Sequence, residues 1–131
     1  MKIFHFNIDW LKEILLVGAG DFIGAALRYM TSAWFAQFTR FGFPLGISTV
    51  NFIGCTLLGM FVGFGLEKNT ALPLKEFAAI GLLGGFTTFS AFGLESFEML
   101  QAGQYKMTLV YVVVSMILGL SGIGLGIFIS R

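Results

Sequence analysis

The segment Gly81-Leu82-Leu83-Gly84-Gly85-Phe86-Thr87-Thr88-Phe89-Ser90-Ala91-Phe92 places a double glycine and the hydroxyls of Thr87, Thr88 and Ser90 inside an apolar run. Glycine and small hydroxylated or β-branched residues are weak helix formers, so a helix here is expected to break at Gly84-Gly85. Inside a bilayer, backbone groups freed by a break need a partner, water or an ion, because lipid offers none. Broken helices of this kind form ion sites in transporters, where freed carbonyls coordinate cations. Thr87, Thr88 and Ser90 can cap the second half-helix. The alternative is an intact helix whose hydroxyls bond back to the preceding turn.

Other residues able to do chemistry are few. Asp21 and Arg28 stand in the first apolar run, and a carboxylate there is a functional candidate by default. Seven residues apart, they share a helix face but are separated by about 10 Å along the axis, too far for direct contact. Arg28 is expected to be structural, with its head snorkelling to the interface. Asn51 in the second run either joins helices or lines a path. The single Cys55 and single His5 exclude an internal disulfide, a Cys-based zinc site and a His-based triad or metal cluster.

These residues sit in a chain made for lipid. Of 131 residues 56% are hydrophobic and only 11% charged, against about 25% in soluble domains, and the mean hydropathy is +0.88. A net charge of +1 leaves no basic field for nucleic acid. A soluble enzyme is excluded, and residues 1–131 read as a single all-α integral membrane domain. A transmembrane helix needs about 20 apolar residues. Four stretches supply them, at about 14–38, 43–66, 77–100 and 107–129. Residues 1–13 read as an interfacial lead-in anchored by Trp10. The apolar run after Lys12 is too long and too charged for a cleaved signal peptide. Lys2, Lys12, Lys68, Lys75 and Arg131 fall on one side, Arg40 and Lys106 on the other. That bias softly favours cytoplasmic termini.

Eighteen glycines include the pairs Gly20/Gly24, Gly59/Gly63, Gly81/Gly85 and Gly122/Gly126, each setting two small residues on one face for close helix approach. Four short spans leave little room for a hydrated interior, which favours an oligomer, most simply a dimer.

Gly84-Gly85-Phe86-Thr87-Thr88-Phe89-Ser90-Ala91-Phe92 resembles the GGxTTFSTF signature of the small bacterial fluoride channels, the Fluc or CrcB family. Gly24-Ala25-Ala26-Leu27-Arg28-Tyr29, Ser48-Thr49-Val50-Asn51-Phe52-Ile53-Gly54 and the polar Tyr111 and Ser115 of the fourth span agree with it. The resemblance implies four transmembrane helices, the third broken at mid-membrane, in an antiparallel dual-topology homodimer of the bacterial cytoplasmic (inner) membrane. Two pores at the subunit interface would export fluoride passively, around one structural sodium ion. Carried over residue by residue, the Gly84 and Thr87 carbonyls would hold the sodium. Asn51 would donate to fluoride, Phe89 and Phe92 would line the pores, and Tyr111 and Ser115 would add polar contacts.

Physical chemistry suits those roles. Fluoride is small and strongly hydrated, so a pore must replace its water with donors, which Asn, Ser and Tyr supply. The positive edges of Phe rings face an anion without adding charge, whereas a ring of lysines or arginines holds it too tightly for release. Three residues depart from the pattern. Asp21 stands where the family usually has a small residue, Ile47 replaces a common threonine, and Ala91 replaces the second threonine of TFSTF. A carboxylate in the pore wall would repel fluoride. The rival reading is therefore a four-span, proton-coupled exporter of cationic drugs with Asp21 as the shared site. A small structural subunit of a larger complex, a third reading, accounts for the glycines but not for the Thr-Thr-Phe-Ser segment.

Overall fold

The computed structural model describes residues 8–39, 42–66 and 71–131. Lys2, His5, Arg40 and Lys68 lie outside them, and so do residues 1–7 of the expected lead-in. The described residues form helices only: α1 (Ile8–Ala36), α2 (Leu45–Gly63), α3 (Leu72–Leu74), α4 (Lys75–Leu83), α5 (Gly84–Phe86), α6 (Phe89–Gln101) and α7 (Tyr105–Ile129). Residues 8–13, read above as a separate lead-in, are the opening turns of α1. Their exposed Asp9–Lys12 pair at 3.7 Å adds little stability.

Elements α3 to α5 run on without interruption, and α4 is wound as a π-helix, a form common at functional sites. Three stretches, Leu45–Gly63, Lys75–Gln101 and Tyr105–Ile129, are long and apolar enough to cross a membrane. Four such spans were expected. The exception is α1, which at 29 residues reaches about 43 Å but carries Asp21 and Arg28 in its apolar run.

The turn from α6 to α7 is closed by Gly103 at φ 73°, with Gly103 N–H donating to Leu100 O at 3.0 Å and Gln104 N–H to Met99 O at 2.9 Å. This is the Schellman arrangement, in which a left-handed glycine satisfies the last helical carbonyls.

Packing follows the glycine pairs. α1 lies against α4 and α5, and α2 lies against α7. A Cβ on Gly24 would run into the Leu82 carbonyl and come within 2.8 Å of Phe86 N; one on Gly126 would meet the Thr56 carbonyl and, at 2.7 Å, Met60 N. Gly20 and Gly24 thus mate with Gly81 and Gly85, and Gly59 and Gly63 with Gly122 and Gly126. All four motifs are matched two by two within one chain, which leaves the dimer expectation to other features. Val50 and Tyr111 are fully buried between these layers.

Candidate functional site

Helical geometry passes through Gly84 (φ −62°, ψ −44°), where the break was expected, and is lost three residues later, at Thr87. Thr87 (φ −80°, ψ 154°) and Thr88 (φ −150°, ψ 126°) are extended. Gly85 stays helical because α1 needs its bare backbone: an added Cβ would lie 2.6 Å from the Asp21 carbonyl. Threonine, β-branched, accepts extended geometry readily. The hydroxyls expected to act together as a cap divide their work. Thr88 Oγ1 accepts from Ala91 N–H at 3.2 Å and so caps α6, Ser90 Oγ lies 3.2 Å from Thr88 Oγ1, and Thr87 Oγ1 donates back to Leu83 O at 3.0 Å.

Side chains from α1 and α2 meet the extended pair. Thr88 N–H donates to Asn51 Oδ1 at 2.8 Å, and Asn51 Nδ2 donates to Thr88 O at 2.9 Å. Arg28 Nη1 donates to Thr87 O at 3.4 Å. The expectation that Arg28 snorkels outward is therefore corrected: its head is half-buried and turned to the α5–α6 junction, where a peptide carbonyl takes one of its protons.

On the outer face of the chain a groove of about 480 Å³ is lined by Asn51, Cys55, Gly84, Thr87, Thr88, Phe89, Phe92, Ser115 and Met116. Seven of these come from the expected site, and none carries a charge. Phe89 is 83% exposed, its ring centroid 5.8 Å from that of Phe92. Aromatic contact continues from Phe92 to Tyr111 at 5.3 Å and from Tyr111 edge-on to Phe43 at 5.4 Å. Tyr111 itself stands behind the groove, and its hydroxyl donates to Glu95 Oε2 at 2.5 Å. Ser115 Oγ lies 3.3 Å from Ser48 Oγ.

Sequence reasoning missed Glu95, Ser48, Cys55 and Met116. Glu95 had a signal, since the default applied to Asp21 covers any carboxylate in a span, and Glu95 lies three residues beyond Phe92 on the same helix face.

A second cavity, about 470 Å³, lies on the Arg28 side of the extended pair and includes Ile47, Ser90 and Ala91 in its wall. Ile47 and Ala91, the two hydroxyl losses, therefore face this cavity rather than the groove. Asp21 belongs to neither; it lines a separate cleft with Trp10, Glu13 and Glu76. Among the described residues no three His, Cys, Asp or Glu side chains gather into a metal site.

Residues 15–127 match the family described as CrcB-like protein, Camphor Resistance (CrcB). The fluoride-specific ion channel FluC of Parabacteroides distasonis is 40% identical over 121 residues, covering 92% of this chain and 94% of its own. Those of Azobacteroides pseudotrichonymphae and Rhizobium meliloti are 39% and 38% identical over 122 residues, each covering 92% of this chain and 98% of its own.

Proposed function

Because the chain belongs to the CrcB family, a family of ion channels rather than enzymes, we propose that it is a fluoride-selective channel that lets the anion leave the cell passively. The uncharged groove carries that conclusion. There Asn51 and Ser115 bring N–H and O–H groups beside the rings of Phe89 and Phe92, a lining that can replace fluoride's water without a fixed charge to trap the ion. Tyr111 serves the groove through its ring, packed behind Phe92, since its hydroxyl proton is given to Glu95.

The working unit is an antiparallel, dual-topology homodimer in the bacterial cytoplasmic membrane, with α1 as the fourth span. Support comes from the groove's position on the outer face and from Phe89, an apolar ring 83% exposed beside polar groups. A second copy closes each groove into a pore, giving two per dimer. A structural sodium ion suits the dimer centre. Thr88 N–H, which a continued helix would give to Gly84 O, goes to Asn51 instead, and Thr87 Oγ1 lies 3.5 Å from Gly84 O but closer, at 3.0 Å, to Leu83 O. Hard carbonyl oxygens fit an alkali cation. Gly84 of each copy, and Thr87 through the carbonyl lone pair that Arg28 does not take, would hold it, fixing the two interrupted helices against one another.

The deciding experiment is anion release from liposomes holding the purified protein, with potassium and valinomycin as the charge shunt. A fluoride electrode should report rapid release and a chloride electrode little; no fluoride release from folded dimer overturns the assignment. In the same assay Phe89→Ile and Phe92→Ile should each lower fluoride flux about tenfold, the effect of about 1.4 kcal/mol at the barrier. Unchanged flux in both removes the aromatic edges from the mechanism. Asp21→Asn should leave flux within about twofold, as expected of a group outside the groove; a larger change would bring Asp21 into the path.

A further inference from the structure

We propose that the Thr88 peptide group is a positioning element for the anion path: by holding both polar atoms of the Asn51 side chain it turns N–H, and not oxygen, toward the groove. The inference rests on the groove being the fluoride path. A primary amide carries an oxygen acceptor and two N–H donors in nearly the same shape, and its last torsion is broad and roughly two-fold. Left alone, Asn51 could present either end to an anion, and the oxygen end would repel it.

The hydrogen bonds remove that ambiguity. Asn51 Oδ1 is taken by Thr88 N–H at 2.8 Å and one Nδ2 proton by Thr88 O at 2.9 Å, both at good N–H···O length. A flipped amide would set donor against donor and oxygen against oxygen at those distances. The two-point pairing uses the proton on the oxygen's side of the amide, so the remaining N–H points away from Thr88. Asn51 and Thr88 both line the groove, which leaves that proton as the donor Asn51 has for an ion there.

Extended backbone is the condition for this arrangement. In a helix a residue's N–H and C=O point opposite ways along the axis and are used by neighbouring turns. With Thr88 at φ −150° and ψ 126°, close to antiparallel-strand values, both groups lie on one side, as in the hydrogen-bonded pair of an antiparallel ladder. The interruption of the third helix thus orients a donor on α2, a task separate from any carbonyl it exposes.

The test replaces Thr88 with its α-hydroxy acid analogue, which turns the peptide N–H into an ester oxygen and leaves the threonine side chain in place. Fluoride efflux should fall about tenfold in the otherwise unaltered channel and change less than about twofold in Asn51→Ala, a strong non-additivity. Equal effects in both backgrounds overturn the proposal. A second readout does not depend on flux or on Asn51→Ala folding. The chain has asparagines at 7, 51 and 69; with Asn7→Gln and Asn69→Gln, 15N-asparagine reports the Asn51 amide alone. Its two proton shifts should be well separated and should converge in the ester, whereas unmoved shifts reject the clamp. If the unaltered protein releases no fluoride, the channel reading falls, and the side-chain signal still decides the clamp.

Discussion

Asn51→Asp should abolish fluoride release while leaving the protein folded. The substitution keeps the shape of the side chain and the oxygen that accepts Thr88 N–H at 2.8 Å, but it replaces the donor to Thr88 O with a second oxygen. A carboxylate then faces both a peptide carbonyl and the groove. Fluoride at about 4 Å from it meets a repulsion of about 4 kcal/mol at an effective dielectric of about 20, enough to slow transit about a thousandfold. The check is liposome efflux beside the size-exclusion profile and thermal melt of the same preparation. Loss of flux with a normal profile is the expected result, and normal flux would place Asn51 outside the path. Asn51→Ser, which keeps a donor and adds no charge, should retain more flux than the aspartate.

Gly24→Ala and Gly126→Ala should each destabilise the fold severely. The added methyl has no space in either helix pair, because it meets the Leu82 carbonyl in one and the Thr56 carbonyl in the other. Side chains can rotate away from such contacts; backbone can only move with its helix. Overpacking in well-filled cores typically costs about 1–3 kcal/mol, and here a whole helix must shift, so each change should reach at least the upper end of that range. Gly18 and Gly124 serve as controls within the same helices, since a Cβ at either meets nothing within 4 Å; there alanine should be neutral or mildly stabilising. Thermal denaturation in detergent, read as the folded fraction after heating, compares all four. Equal melting across the set would refute the packing assignment.

Much of this architecture is legible in the chain, but residue pattern reveals faces more readily than partners. The four glycine pairs announce close approach, yet nothing in Gly20/Gly24 says that its mate is Gly81/Gly85 rather than a second copy. The same limit explains the misplaced break. Gly84-Gly85 is the weakest local helix former, but Gly85 is bare because α1 lies on it, and tertiary contact overrides propensity. Thr87-Thr88 yields instead, since its side chains supply both the extended preference and the cap. Asn51, Phe89, Phe92 and Ser115 are each marked in the sequence by the family resemblance, and they converge on one groove. Glu95, near the end of the third span, draws no role from the sequence because its partner, Tyr111, lies on another helix. The π-winding of Lys75–Leu83 has no signal in its residues that we can identify.

The pairing of α1 with α4–α5 and of α2 with α7 also sets a timetable. Each helix finds its mate only after an intervening span has been made, so neither pair can close as the chain first emerges. At about 5–20 residues per second, the stretch from Ala36 to Phe86 takes roughly 3 to 10 s to synthesise. Throughout that interval Arg28 lacks the Thr87 carbonyl it finally meets, and Asp21 lacks the backbone of Gly85 beside it. The charge that α1 can carry is thus limited by how long the nascent chain can be sheltered before its third helix arrives.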